Sequence, residues 1–366
     1  MALIKDIYST EFYSRFAESL SKLLPSFNKK QFYNQIFDAQ FANKEWKERM
    51  KHTTQVLHSY LPSNFPKAWK TIQKIIVQLR KDGFGDDNLA FMFFPDYIET
   101  YGLADFETCV KAFEFTTQFI SCEFAVRPFV IKYGDKMITE MVNWSKHDSA
   151  KVRRLASEGS RPRLPWAMAI PALKRDPNPL LPILENLKND PSDSVRRSVA
   201  NNLNDIAKDN PKFVLSIAKS WKGISKETDA IIKHGCRTLL KQGHVEILQQ
   251  YGLSSKNIEI TKLKILTPKV KIGDALEFSF TLSNNNNKEQ TIRLEYSIYY
   301  KKAKGHLAKK VYKISEKIYQ PHQITNIQKK QSFKLITTRK FHAGLHQLAI
   351  IVNGSEKERM DFEFTF

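Results

Sequence analysis

Apolar side chains recur every three or four positions between residue 1 and about residue 250, which is the period of an amphipathic α-helix. One stretch with this spacing contains Ile72, Ile75, Ile76 and Leu79. Runs of β-branched residues, which favour strands, are few in this part of the chain. The pattern predicts an all-α domain over residues 1–252.

From about residue 259 to the C-terminus, apolar residues alternate with polar ones, as in half-buried β-strands. The clearest run has its apolar positions at Leu276, Phe278, Phe280 and Leu282. Four asparagines at residues 284–287 separate it from a second alternating run at residues 292–300, and we expect a hairpin there because Asn tolerates left-handed backbone geometry. Further strand-like runs cover residues 311–319, 332–338, 347–352 and 360–366. Six or seven short strands predict an all-β, immunoglobulin-like sandwich over residues 257–366.

One segment of the helical part occurs twice. Residues 148–154 read Asp-Ser-Ala-Lys-Val-Arg-Arg and residues 193–197 read Asp-Ser-Val-Arg-Arg, so that Val195 repeats Val152 after 43 residues. Each copy follows a loop and opens a predicted helix, with weaker copies at residues 106–130 and 228–240. This organisation is typical of HEAT-like repeats, in which pairs of helices stack into a curved solenoid. The predicted fold class is therefore multidomain: an all-α HEAT-like repeat solenoid followed by an all-β immunoglobulin-like sandwich.

The chain carries 58 Lys and Arg residues against 38 Asp and Glu, which gives a formal net charge of +20 and a pI near 9.6. Such a balance favours a polyanionic partner, either nucleic acid or an anionic membrane surface. There is no run of eighteen apolar residues and no signal-peptide pattern, so we expect a cytoplasmic protein that neither spans a membrane nor is exported. The three cysteines lack CxxC spacing, so neither a zinc site nor a disulfide framework is indicated. We expect no metal, no cofactor and a monomer.

The β-rich part is strongly basic. Residues 257–366 contain twenty Lys and Arg against ten Asp and Glu, and Lys301, Lys302, Lys304, Lys309 and Lys310 fall around one predicted loop. Lysines commonly protect the edges of sheets, and they also bind phosphates. The lysines alone leave both explanations open, and we predict from the charge of this part that residues 257–366 contact DNA.

Arginines are concentrated in the two repeated segments and in the sequence that follows the first of them. Residues 157–166 read Ser-Glu-Gly-Ser-Arg-Pro-Arg-Leu-Pro-Trp. Because guanidinium groups match phosphate oxygens, we expect a duplex backbone to be bound by Arg153, Arg154, Arg161, Arg163, Arg196 and Arg197. No segment resembles a recognition helix, so we expect the protein to recognise the shape of DNA or damage in it rather than its base sequence.

Three carboxylates interrupt this basic surface: Glu123, Glu158 and Asp205. We expect each in the later part of the second helix of a repeat, where the three could converge. An ion pair of Arg154 with Glu158 and ordinary structural hydrogen bonds are the plainer explanations. Together, however, three acids beside DNA suit a reaction in which positive charge develops, as on a sugar that loses its base, or in which a water is deprotonated.

Trp166 closes the arginine-rich segment. Its π face could lie against a cationic base or sugar, although an aromatic residue in the core is the plainer interpretation. If the base is already cationic through alkylation, it leaves as a neutral molecule and needs no general acid.

The motif at residues 157–166, with Glu123 upstream and Asp205 downstream, resembles the AlkC branch of the HEAT-like-repeat alkylpurine DNA glycosylases. The resemblance covers most of residues 1–250, and some members carry an immunoglobulin-like domain after the solenoid. It implies removal of cationic alkylated bases, such as 3-methyladenine and 3-methylcytosine, from bent double-stranded DNA without a deep base pocket. It further implies that Glu123 and Asp205 are catalytic, that Glu158 supports them and that Trp166 lies near the lesion. Arg154, Arg161 and Arg163 would hold the DNA backbone.

Two other functions fit parts of the sequence. Most solenoids are interaction scaffolds, so a non-catalytic protein that binds nucleic acid or another protein is one alternative. Such a scaffold gains nothing from three acids on a surface for polyanions. A metal-dependent nuclease is the other, and the lack of a tight Asp/Glu cluster with a lysine disfavours it.

Overall fold

The computed structural model describes residues 3–335 and 340–366. The chain divides into two compact units, Met1–Gly235 and Cys236–Phe366. No helix within the described ranges is long and apolar enough to cross a membrane.

Sixteen α-helices are found in the described part of the chain. Their bounds are α1 Thr10–Ser21, α2 Lys29–Ile36, α3 Trp46–His58, α4 Phe65–Lys81, α5 Phe93–Gly102, α6 Phe106–Thr116, α7 Arg127–Tyr133, α8 Asp135–Trp144, α9 Ala150–Gly159, α10 Pro171–Arg175, α11 Leu181–Leu187, α12 Asp193–Ile206, α13 Pro211–Trp221, α14 Lys226–Gly235, α15 Arg237–Gln242 and α16 Val245–Gln250. The first part of the chain is therefore helical, as the sequence predicts. Helices α15 and α16 belong to the second compact unit, so the change from helix to strand comes after the division between the units.

Helix α4 illustrates how the sequence specifies a helix and its buried face. The side chain of Asn64 precedes the helix and accepts a hydrogen bond from the backbone N–H of Lys67 at 3.1 Å, which caps the first turn. The apolar positions that recur at three and four are all buried: Ile72, Ile75, Ile76 and Leu79. This face packs the helix into the interior, where α4 contacts α1, α5 and α6.

The repeated segments form equivalent helices. Helices α9 and α12 pack against each other, and α14 packs against α12. The first arginine of each copy makes the same contacts: Nη1 of Arg153 donates to the carbonyls of residues 147 and 148 at 2.9 and 2.7 Å, and Nη1 of Arg196 donates to those of residues 190 and 191 at 2.7 and 2.8 Å. Each arginine thus fixes the loop that leads into its own helix, which gives the repeated residue a structural reason.

The second unit contains a β-sandwich of eight strands in the described residues, which confirms the immunoglobulin-like fold class. The strands are β1 Ile258–Ile265, β2 Lys269–Lys271, β3 Ala275–Asn284, β4 Gln290–Lys301, β5 Leu307–Tyr319, β6 Ile324–Ser332, β7 Gly344–Val352 and β8 Ser355–Thr365. One sheet has the order β1-β3-β6 and the other β2-β8-β7-β4-β5. Only β2 and β8 pair in parallel within these ranges. The alternating apolar residues of β3 and β4 face one shared core.

The predicted hairpin at residues 284–287 is wrong. Strand β3 pairs with β1 and β6, whereas β4 pairs with β5 and β7, so the asparagines cross from one sheet to the other. The side chain of Asn284 is buried, and its Nδ2 donates to the carbonyls of Tyr319 and Gln320 at 3.2 and 2.9 Å. Alternation reports only that one face of a strand is buried, and two strands on opposite sheets bury their faces in the same core.

The strand expected at residues 332–338 is also displaced. Strand β6 ends at Ser332, and residues 333–335 follow it without strand structure. Residues 336–338 of that expectation lie outside the described residues. Sequence reasoning missed β6 itself, because this strand is largely exposed, mostly polar and shows little apolar alternation.

Candidate active site

Four parts of the helical unit meet at one cleft: the start of α3, residues 87–92, the turn at residues 120–126, and the end of α9 with the loop at residues 160–170. The cleft has a volume of about 460 Å³. It is open to solvent, and Trp166 at its rim is 69% exposed. Its lining includes Trp46, Glu123, Phe124, Arg154, Glu158 and Arg161. Five of the ten residues singled out by the sequence therefore line the cleft, and the other five do not: Arg153, Arg163, Arg196, Arg197 and Asp205.

A glycine allows two of these parts to approach closely. Gly159 is the last residue of α9, and a Cβ atom at this position would lie 2.6 Å from Cγ1 of Val126. Such a distance is too short for two carbon atoms, so any other residue would push α9 away from the turn. The close approach places Glu158 beside the segment that carries Glu123.

Glu123 lies in the turn before α7 and not late in a helix, which corrects the prediction for this residue. Its Oε2 accepts hydrogen bonds from Arg154 Nη1 at 2.7 Å and from Ser121 Oγ at 2.8 Å. No side chain in the described residues donates to Oε1, and the glutamate side chain is 18% exposed. One oxygen is thus fixed by the protein, while the other is left for a ligand or a water.

Glu158 and Asp205 occupy the predicted positions, since each is the next-to-last residue of its helix, α9 and α12. Arg161 joins them: its Nη1 donates to Oε1 of Glu158 at 2.5 Å, and its Nε donates to Oδ2 of Asp205 at 2.8 Å. Ser198 Oγ donates to the second oxygen of Glu158 at 2.5 Å, and Lys208 Nζ donates to that of Asp205 at 2.9 Å. We call these five residues the carboxylate bridge. They satisfy all four oxygens of the two acids.

The charges of the bridge balance. Burial lowers the pKa of the Arg161 guanidinium, but the nearby carboxylates of Glu158 and Asp205 outweigh this effect, and the net result is a raised pKa. Arg161 therefore remains a cation beside two buried acids that are 5% and 2% exposed. A buried ionic group of this kind is stable only while its partners stay in place.

Trp166 is not a core residue. Its backbone has a φ of 64°, in the left-handed region that L residues with large side chains rarely adopt. The Lys47 ammonium donates to the carbonyl of Trp166. The two indole rings of Trp166 and Trp46 lie 6.4 Å apart at 55°, and the ammonium of Lys47 is 5.6 Å from the ring of Phe124. The loop thus has a strained backbone at Trp166 and holds its exposed indole at the rim of a cleft lined partly by aromatic residues.

Three of the predicted phosphate-binding arginines remain accessible. The side chains of Arg154, Arg163 and Arg197 are 31%, 37% and 72% exposed. Arg163 makes a two-point ion pair with Asp209 at 2.8 and 2.6 Å, and Arg197 pairs with Asp193 one helical turn away. Exposed pairs of this kind are weak, so the guanidinium groups of Arg163 and Arg197 can exchange a carboxylate for a phosphate, whereas Arg154 keeps Nη1 on Glu123.

The other three arginines of the predicted phosphate-binding set, Arg153, Arg161 and Arg196, already have protein partners. Arg161 is inside the carboxylate bridge. Arg153 makes two contacts with Asp190, at 2.6 and 3.1 Å, besides its contacts with loop carbonyls, and Arg196 holds the corresponding loop. All three donor atoms of Arg161 and of Arg153 contact protein acceptors, whereas Arg196 has only Nη1 on loop carbonyls and Nη2 3.6 Å from Asp193. The phosphate contact of these three residues stays a prediction.

Sequence reasoning missed several members of the site. Trp46, Lys47 and Asp87 lie far from the motif in the chain, so no spacing could connect them with it. Ser198 could have been found, since it lies seven residues before Asp205 on α12 and the two share a helix face. Polar residues along the buried face of a helix are the signal that points to such a network.

Comparisons with known proteins agree with the fold. Residues 48–238 match the family described as DNA alkylation repair enzyme, and residues 259–366 match the family described as "Uncharacterised protein YhaZ, C-terminal Ig-like domain". The chain belongs to the DNA alkylation repair enzyme family. It is 41% identical over 364 residues to the uncharacterized protein YhaZ of Bacillus subtilis, with 99% of each chain covered.

A solved structure extends the match to the whole chain. The alkylpurine DNA glycosylase AlkC of Pseudomonas fluorescens, bound to DNA containing an abasic site analog, superimposes with a TM-score of 0.90 at 32% identity and 100% coverage of both chains. The chain therefore has the AlkC fold, including the immunoglobulin-like part, as the resemblance in the motif implies.

The carboxylate bridge predicts a large loss of stability when its cation is removed. We expect Arg161→Met to lower the free energy of unfolding by about 3 kcal/mol, because Glu158 and Asp205 are left buried without their shared partner. Urea unfolding of the helices, followed by circular dichroism, measures this change. Arg197→Met is the matched control, since it removes an exposed ion pair and should leave the transition nearly unchanged. Equal losses in the two variants would contradict the role of the bridge.

Proposed function

We propose that this protein is a monofunctional DNA glycosylase, which acts as a monomer on double-stranded DNA. It hydrolyses the N-glycosidic bond of cationic alkylated bases, 3-methyladenine and 3-methylcytosine, and leaves an abasic site in an intact strand. The observation that carries the proposal is the pairing of Glu123 with an exposed Trp166 in one open cleft of a DNA alkylation repair family member. The DNA-bound state of the AlkC structure supports DNA as the partner.

The chemistry of the lesion explains the carboxylates. A cationic base leaves as a neutral molecule, while the sugar gains the positive charge of an oxocarbenium-like transition state. Glu123 can stabilise that charge or orient the attacking water through Oε1, because Oε2 is held by Arg154 and Ser121. Asp205 contributes the second charge from the bridge, and Glu158 supports it through the shared Arg161.

The cleft provides surfaces for the lesion and for the DNA backbone. Trp166 and Trp46 present π faces that attract a cationic base or sugar. We propose that the damaged nucleotide is met at this open surface rather than enclosed in a deep pocket. Arg154, Arg163 and Arg197 would hold the flanking phosphates, which supply most of the affinity for undamaged DNA.

The direct test is release of free base from methylated duplex DNA. We expect 3-methyladenine to appear with abasic sites and without strand breaks, and we expect EDTA to have no effect. The described residues contain no group of three or more His, Cys, Asp or Glu side chains that could hold a metal ion. Chromatography of released bases measures the reaction, with Glu123→Gln as the inactive control. Binding without base release would favour the scaffold, and EDTA-sensitive strand scission would favour a nuclease.

Removing either proposed catalytic carboxylate should slow base release without weakening the binding of DNA. We expect Glu123→Gln and Asp205→Asn each to slow base release by about 10²-fold or more, because each removes a fixed negative charge at the developing cation. Affinity should hold or rise slightly, since a charge that repels phosphates is lost. Single-turnover excision and filter binding measure the two effects. Near-native turnover in a folded variant would remove that residue from the mechanism.

Trp166 should act on the lesion rather than on the duplex. We expect Trp166→Ala to slow excision more than it weakens binding to undamaged DNA, whereas Trp166→Phe, which keeps a π face, should retain more of the rate. Excision of bound substrate and affinity for undamaged duplex are measured side by side. A collapse of affinity with unchanged excision would assign the residue to the fold.

We also propose that the sandwich contacts DNA through the lysines around residues 301–310. Replacing Lys302, Lys304 and Lys310 by Gln in the full-length protein should weaken binding and flatten the slope of log K against log salt by about 1 or more, because fewer counterions are released. The matched control replaces Lys262, Lys264 and Lys329 by Gln, which removes the same charge from the other sheet. Equal slopes for the two triple variants would show that charge alone, and not this loop, governs binding.

A further inference from the structure

Arg127 is a fully buried arginine outside the set that the chemistry requires. It is the first residue of α7, four positions after Glu123, and none of its surface is exposed. An arginine in such a place loses a large hydration energy, which an apolar side chain of similar size would not. Its contacts must therefore provide something that an apolar residue cannot.

Those contacts join three segments of the site. Nε of Arg127 donates to the carbonyl of Met168 at 2.6 Å, and Nη1 donates to the carbonyl of Gly159 at 3.0 Å. Met168 lies in the loop that carries Trp166, and Gly159 follows Glu158 at the end of α9. Arg127 itself lies on the segment that carries Glu123. One rigid guanidinium thus links the aromatic loop, the end of α9 and the turn of the exposed carboxylate.

The charge of Arg127 is retained despite its burial. Burial, with the nearby Arg161, lowers the pKa of Arg127 to about 10, while Asp205, Glu158 and Glu123 act in the opposite direction. The group is therefore a cation at neutral pH. Its Nη2 has no hydrogen-bond partner in the described residues. The side chain therefore stays buried with only two of its nitrogens bonded, Nε and Nη1.

We propose that Arg127 is a positioning residue that fixes the distance and orientation of Trp166 relative to Glu123. The inference rests on the proposed glycosylase function for its meaning and on the geometry of the loop for its test. Lysine keeps the charge but carries a single donor centre, so it cannot reach both carbonyls in the same way. If Arg127 only filled space in the core, its replacement would change the position of neither Trp166 nor Glu123.

The first measurement is amide hydrogen exchange in the full-length protein, and it does not depend on any activity. The loop at residues 162–170 contains two backbone bonds, from Ile170 N–H to the carbonyl of Pro162 at 3.1 Å and from Ala167 N–H to that of Leu164 at 3.3 Å. We expect Arg127→Lys to speed exchange of this loop by about 10-fold or more, because its tie to Arg127 is lost.

Arg293→Lys is the matched control for this measurement. Arg293 is also buried, and its Nη1 and Nη2 donate to Glu316 and Glu295 of the β-sandwich at 3.2 and 2.7 Å. It should leave exchange of residues 162–170 unchanged. Unchanged exchange in Arg127→Lys would overturn the proposal, and if that variant does not fold, Arg127→Gln is measured in its place.

The second measurement is a double-mutant cycle on single-turnover base release. We expect Arg127→Lys to slow excision by about 10-fold or more in the native background and to have little further effect when Trp166→Ala is already present, because residues that act through one another are not additive. Equal factors in both backgrounds would overturn the proposal, since they would make Arg127 independent of Trp166. If the native protein releases no base, the glycosylase proposal fails, while the exchange measurement still decides whether Arg127 orders the loop.

Discussion

Arg161 bridges two buried carboxylates, and the relation between α9 and α12 at the cleft depends on that bridge. Without a shared cation, Glu158 and Asp205 would be two buried negative charges that repel each other. With Arg161 between them and Lys208 and Ser198 on the outer oxygens, both acids keep their hydrogen bonds. The bridge therefore keeps two buried carboxylates in place, with their charges balanced by Arg161 and Lys208.

The same bridge divides the basic residues into two groups. Arg161 binds the buried acids of the bridge, whereas Arg153 and Arg196 hold the loops that lead into their helices, so fewer of their donors are left for another partner. In each repeated segment the first arginine builds the fold, and the second, Arg154 or Arg197, is the more exposed. A repeat can in this way keep one residue for structure and vary the partner of its neighbour.

Periodicity predicted the larger features of the molecule because burial imposes it. The spacing at residues 72–79 and the alternation at residues 276–282 both reported faces that are buried in the structure. Strand pairing was beyond this signal, since β3 and β4 bury their faces in one core from opposite sheets. The motif at residues 157–166 contributes Glu158, Arg161 and Trp166 to the lining of the cleft.

The sequence could not tell which guanidinium groups in that motif face solvent. It also could not show that Glu123 lies in a turn or that Trp46 approaches Trp166 from the start of α3, since both follow from tertiary packing. Ser198 was within reach, because a buried polar residue on the same face as Asp205 is a local feature.

The left-handed backbone of Trp166 affects which residue selection for stability would favour at this position. Glycine adopts a φ of 64° without the steric cost that an indole-bearing residue incurs there, so the folded state would gain stability from Gly at this position. A screen for yield or heat resistance alone would therefore favour loss of the tryptophan. Under the proposed function, stability and activity therefore make opposite demands on this loop, and laboratory evolution for robustness should keep residue 166 fixed.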